Sequence, residues 1–201
     1  MKVISAVFHP LLMATYSCAL MYWIIPEIYS PIRYESIPFF IGVVFLTTAV
    51  VPALSILFLK MTQKVTSLEI TKLEERSLPF LSIGTFYGVT TYMFYAKMSV
   101  PFPLLIMMMA VTVLIFLIYL ISFNFKISVH SAGIWGVAGL FSALAIKYLS
   151  TSVIPILAAI FVAAGLTTMS RLYLGRHSPD ESWSGVTLGF ILCFLAFYLF
   201  G

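Results

Sequence analysis

Charge is scarce in this chain. Asp, Glu, Lys and Arg make up 9% of its 201 residues, against about 25% in soluble globular domains. Too few solvated side chains remain to clothe a water-soluble globule. Cysteine is nearly absent. Cys18 and Cys193 stand far apart in apolar stretches, which excludes a disulfide framework and thiolate metal spacing and leaves two small core residues. No run of basic residues accompanies the net charge of +4, so nucleic acid is not an expected partner. What the chain does have is grease: 62% hydrophobic residues and a mean hydropathy of +1.09. Backbone groups cannot stay unpaired in lipid, so such a chain reads as all-α, a polytopic transmembrane helix bundle. Its length fits a single integral membrane domain over residues 1–201, its surroundings membrane lipids.

A helix needs about 20 apolar residues to cross the hydrocarbon core. Seven segments qualify, at roughly 4–25, 38–60, 79–98, 103–123, 131–149, 152–169 and 183–200, giving a bundle of about six to seven spans. The first begins after Lys2 and is interrupted by His9 and Pro10, a poor signal-peptide core, and is read as a retained span. Pro79, Pro101 and Pro103 stand at or just before helix starts, where a missing N–H costs nothing. Gly133, Gly136 and Gly139 recur every three residues in the fifth segment and predict a close helix–helix contact. No strand precedes them, so they do not read as a nucleotide loop.

Counting crossings places the linkers at 61–79, 124–130 and 170–182 on one face. Their polar residues then meet at one end of the bundle. The densest stretch is SRLYLGRHSPDE, residues 170–181. His177 and Glu181 are four apart, which stacks them on one helix face and lets the carboxylate fix the imidazole tautomer. A histidine so oriented can act as a nucleophile. His130 can protonate a leaving alkoxide. Arg76 and Arg171 can grip phosphate oxygens with their planar forks, and Ser128 and Ser170 can add hydrogen bonds. Charges at span ends also arise simply by snorkelling, the reading given to Lys60, Lys97 and Lys147, and Arg176 with Asp180 offers a structural ion pair. The conjunction of two histidines, two serines and two arginines on three same-face linkers is what points to a site.

These residues resemble the signatures of the type 2 phosphatidic acid phosphatase superfamily. Ser170-Arg171, five residues, His177, three residues and Glu181 match its S-R-x5-H-x3-D pattern, with glutamate for aspartate. ISVH, residues 127–130, keeps the serine and histidine of P-S-G-H but has Ile127 and Val129 for proline and glycine. For K-x6-R-P, Arg76 is followed by Pro79 rather than directly by proline, Glu69 stands at the lysine position and Lys72 lies one turn nearer. The resemblance implies a metal-independent, cofactor-free hydrolase acting on a lipid phosphate or diphosphate. It makes His177 the nucleophile that carries a phosphohistidine, Glu181 the orienter of His177, and His130 the general acid. Arg76, Arg171, Ser128, Ser170 and Lys72 become the phosphate cradle.

Three other functions share such a site. A phosphotransferase passes the group to another lipid, a degenerate relative binds lipid phosphate without turnover, and a small transporter moves it. A transporter would bury its charges near mid-membrane, whereas here they sit at span ends. Eight of the eleven lysines and arginines fall on the site side. Positive-inside counting would make that side cytoplasmic, but five of the eight are residues a phosphate would need. The resemblance implies a bacterial inner membrane protein with an extracytoplasmic site. The sequence leaves the oligomeric state open.

Overall fold

The computed structural model describes residues 1–67, 69–70, 72–148 and 153–201. It is a bundle of helices with no strand among the described residues. Among the described residues five helical stretches are long and apolar enough to cross a membrane: Tyr34–Met61, Phe102–Ile121, Val129–Tyr148, Val153–Tyr173 and Pro179–Phe200. The helices are α1 (Lys2–Val7), α2 (Met13–Ile24), α3 (Ile37–Phe45), α4 (Val51–Met61), α5 (Ser77–Ala96), α6 (Phe102–Ile121), α7 (Val129–Tyr148), α8 (Val153–Tyr173) and α9 (Pro179–Phe200). The predicted span limits at 149 and 152 lie outside the described residues. Helix α5 has the length of a span, but its serines, threonines and tyrosines leave it less apolar than the five.

The first expected span is not one helix. α1 ends at Val7, His9 is extended with φ −69° and ψ 136°, and a 3-10 turn over Pro10–Leu12 leads into α2. Proline disfavours the α conformation in the residue before it and cannot donate to the carbonyl four residues back, so His9-Pro10 breaks the helix. The Pro10–Ile24 piece would reach only about 22 Å as an α-helix, short of a ~30 Å hydrocarbon core.

α3 and α4 form one continuous helical stretch joined by a π-helical turn over Leu46–Val50. Pro52, in the first turn of α4, withholds an N–H and pushes on the preceding turn. Thr47 and Thr48 hydroxyls donate to the carbonyls of Val43 and Val44 at 2.9 and 2.7 Å and dress the widened stretch.

The closest helix pair is α7 with α9. A Cβ at Gly189 would lie 2.1 Å from the Ala132 carbonyl oxygen, and one at Gly139 would lie 2.3 Å from that of Phe190. A Cβ at Gly185 would lie 2.5 Å from the Ser128 carbonyl. Backbone therefore runs against backbone, as the glycine face of α7 predicts, with a second set of glycines on α9 completing it. Cys18 and Cys193 are free, buried thiols in the core.

Candidate active site

Three linkers are laced together at one end of the bundle. An Arg76 terminal N–H donates to the Ile127 carbonyl at 2.8 Å, joining the segment before α5 to the one before α7. Lys126 Nζ donates to the Arg176 carbonyl at 2.9 Å, and the Ser128 N–H donates to the Glu181 carbonyl at 2.9 Å, joining the segment before α7 to the start of α9. Arg176 pairs across linkers with Glu69 at 3.1 Å, not with Asp180. The shared face expected from counting crossings is thus present as hydrogen bonds.

At the start of α9 Ser178 is the N-cap. Its hydroxyl accepts the Glu181 N–H at 3.2 Å, and Glu181 Oε2 accepts the Ser178 N–H at 3.2 Å, forming a capping box. The same Oε2 lies 2.8 Å from His177 Nδ1. His177 is therefore held by an oxygen that the helix start has already fixed. With Nδ1–H donating to the carboxylate, Nε2 is left with its lone pair free. Burial, with Arg76 and Arg171 facing the ring, pushes the His177 pKa below 6.5 against the opposing pull of Glu181. The imidazole is neutral at pH 7.

Arg76 and Arg171 are 3% and 4% exposed, and the Nε of each has no hydrogen-bond partner among the described residues. Burial pushes the Arg76 pKa down to about 10, which leaves it charged at neutral pH. Glu181 lies within electrostatic reach of Arg76, and Glu69 of Arg171. Two nearly buried guanidinium groups with unused donors form a site for an anion carrying several oxygens.

His130, in the first turn of α7, lies within electrostatic reach of Arg171 and His177. It meets His9 edge to face, with ring centroids 5.4 Å apart and planes at 82°. His9 Nδ1 in turn accepts the Leu11 N–H at 3.4 Å and caps the 3-10 turn. Arg76, His130, Arg171 and His177 line one cavity of about 360 Å³, joined at its polar end by Lys2, Ser5, His9 and Glu69.

Three expected members of the site are placed otherwise. Ser170 Oγ is fully buried, pairing with Ser5 Oγ at 2.8 Å and donating to the Met1 carbonyl at 3.0 Å. Ser128 Oγ, also fully buried, pairs with Ser131 Oγ at 3.0 Å, and neither serine lines the cavity. Lys72 is exposed and pairs with Glu75 at 3.3 Å, away from the cavity. The lysine that does line it is Lys2. Lys2, Ser5 and His9 escape a reading of the sequence because they lie at what reads as the start of an ordinary span. The His9-Pro10 interruption is the available signal.

No family model matches this chain, and neither does any curated protein or solved structure.

Proposed function

We propose that this membrane protein hydrolyses a lipid phosphate or diphosphate through a phosphohistidine. The reading rests on one observation above the others: two almost fully buried arginines, each with an Nε that has no hydrogen-bond partner among the described residues, line the cavity that also holds a carboxylate-oriented histidine. A buried unpaired charge is costly, so the pair is best explained by a bound polyanion.

In the proposed reaction, His177 Nε2 attacks phosphorus while Arg76 and Arg171 hold the non-bridging oxygens. The bond from phosphorus to the lipid oxygen breaks as the N–P bond forms. His130 gives its proton to the leaving lipid alkoxide, or to the leaving phosphate of a diphosphate. Water then attacks the phosphohistidine, His130 takes the water proton, and inorganic phosphate leaves. Glu181 holds Nδ1 throughout and supports the charge that develops on the ring. The S-R-x5-H-x3-E arrangement supports a place in the type 2 phosphatidic acid phosphatase superfamily. Glutamate suits this chain because the longer side chain serves the capping box and the histidine together.

The test is phosphate release by purified protein from a panel of lipid phosphates in chelator, beside His177→Ala. Turnover that survives chelator and vanishes in the variant is expected. Turnover abolished by chelator and restored by one divalent ion would sink the metal-free mechanism. Burial of the Ser128 and Ser170 hydroxyls against other partners also suits a phosphate binder without turnover. Tight binding of lipid phosphate with no release from any substrate would establish that second reading. Release only when a lipid acceptor is added would mark a phosphotransferase.

The proposed site face is extracytoplasmic, in a bacterial inner membrane. Cysteines placed singly at Thr66 and Ser178 in a cysteine-free background should both react with an impermeant maleimide on intact cells. Reaction of neither before the membrane is opened would reverse the orientation.

A further inference from the structure

The cavity does not stop at its polar end. Below His130 and Arg76 it continues into the bundle between α2, α5, α6 and α7, where its walls are apolar. Along α7 the lining runs from His130 through Val137 to Leu140, ten residues or about 15 Å of helix, half the thickness of a bilayer core. Leu140 and Met107 are buried at the deep end, beside Tyr87. Beyond them Phe94, Leu104 and Phe141 are buried without lining the cavity, so the shaft has a floor. The whole cavity, its polar mouth included, has a volume of about 360 Å³. That is room for one extended hydrocarbon chain and not for two. Ala110 on α6 keeps the wall clear where a larger side chain would fill it.

An apolar shaft that opens onto two buried arginines is complementary to a single amphiphile: anion at the mouth, chain in the interior. We infer that the protein takes lipid phosphates bearing a single hydrocarbon chain and draws that chain into the bundle, where the floor at Leu140 and Met107 sets an upper length of about twelve extended carbons. This rests on the phosphate reading of the arginine pair. It adds a length limit that a chain lying in the surrounding bilayer would not have.

Non-hydrolysable n-alkyl phosphonates from one to eighteen carbons, titrated onto the protein in lipid nanodiscs, test it. Affinity should rise about fourfold per methylene and stop rising near twelve carbons. Leu140→Ala, which removes three carbons from the floor, should move the break to chains longer by about three carbons. Ala110→Leu should move it to shorter chains, and it keeps the test alive if Leu140→Ala does not fold. An affinity that climbs without a break, or a break that neither folded variant moves, would overturn the shaft and leave the anion site standing. So would equal binding of methylphosphonate and the longer chains. Failure of every phosphonate, methylphosphonate included, would overturn the anion reading and the shaft with it.

Discussion

Glu181 Oε2 serves two partners at once: it lies 2.8 Å from His177 Nδ1 and accepts the Ser178 N–H at 3.2 Å. Helix start and nucleophile orientation therefore share one atom. Glutamine at this position keeps the capping box, since its amide oxygen can accept the same N–H, but removes the negative charge that steadies the imidazole. Glu181→Gln should melt within a few degrees of wild type while turnover falls about 10- to 100-fold. His177→Ala should remove turnover altogether. Phosphate release and a thermal melt, run side by side, check this. Undiminished turnover in Glu181→Gln would shift attention to Asp180.

Lysine cannot copy a guanidinium fork. If Arg171 and Arg76 hold phosphate through paired N–H groups, Arg171→Lys and Arg76→Lys should each lose about 10²–10³-fold in kcat/KM, almost as much as the alanine variants. Steady-state kinetics decide it. Full activity in Arg171→Lys would mean that charge alone suffices.

The pH profile follows from the groups around His177. Burial, Arg76 and Arg171 favour its neutral form, and Glu181 favours the protonated one, with a net pKa below 6.5. Only the neutral ring can attack phosphorus. Activity should persist as pH falls through 6.5 and fail lower, as the ring takes its proton. Glu181→Gln removes the opposing pull and should carry the acid limb lower still. An acid limb of kcat/KM at or above 6.5 that is traced to His177 would contradict the geometry.

His9 joins the cap of a 3-10 turn to the ring of His130. We expect it to act as a positioning residue. Asparagine can accept the Leu11 N–H and preserve the cap but offers no ring against His130. His9→Asn should therefore melt like wild type yet lose about tenfold in turnover, with KM little changed. Wild-type turnover in His9→Asn together with a lower melting temperature in His9→Ala would reduce His9 to a cap.

The helical architecture and the meeting of three linkers were legible because both depend on local periodicity and on counting. His177 and Glu181 were legible for the same reason: a four-residue spacing on a helix fixes their contact before any tertiary structure is known. The serines were not. Ser170 and Ser128 have hydroxyls that turn toward Ser5 and Ser131, and side-chain torsion is not written in spacing. Lys72 sits in the right linker, but the chain runs from it through a single 3-10 turn to Arg76, and its ammonium finds Glu75 instead. The His9-Pro10 break is visible in the sequence, but the contact of His9 with His130 is not, because the two lie far apart along the chain. Glu69, at the position where the resembled signature has lysine, sits at the cavity rim and neutralises Arg176. Only the folded chain shows that partnership.

Gly139, Gly185 and Gly189 press the backbones of α7 and α9 together, and α7 carries His130 while α9 follows directly on His177. The proposed acid and the proposed nucleophile therefore ride on one jaw whose gape is set by main-chain contact. The opposite jaw is built from the broken first segment, with Lys2, Ser5 and His9, and is fastened by side-chain and terminal hydrogen bonds to Ser170. Main-chain packing thus holds the two histidines in register, while the first segment is tied to the site through side-chain and terminal hydrogen bonds.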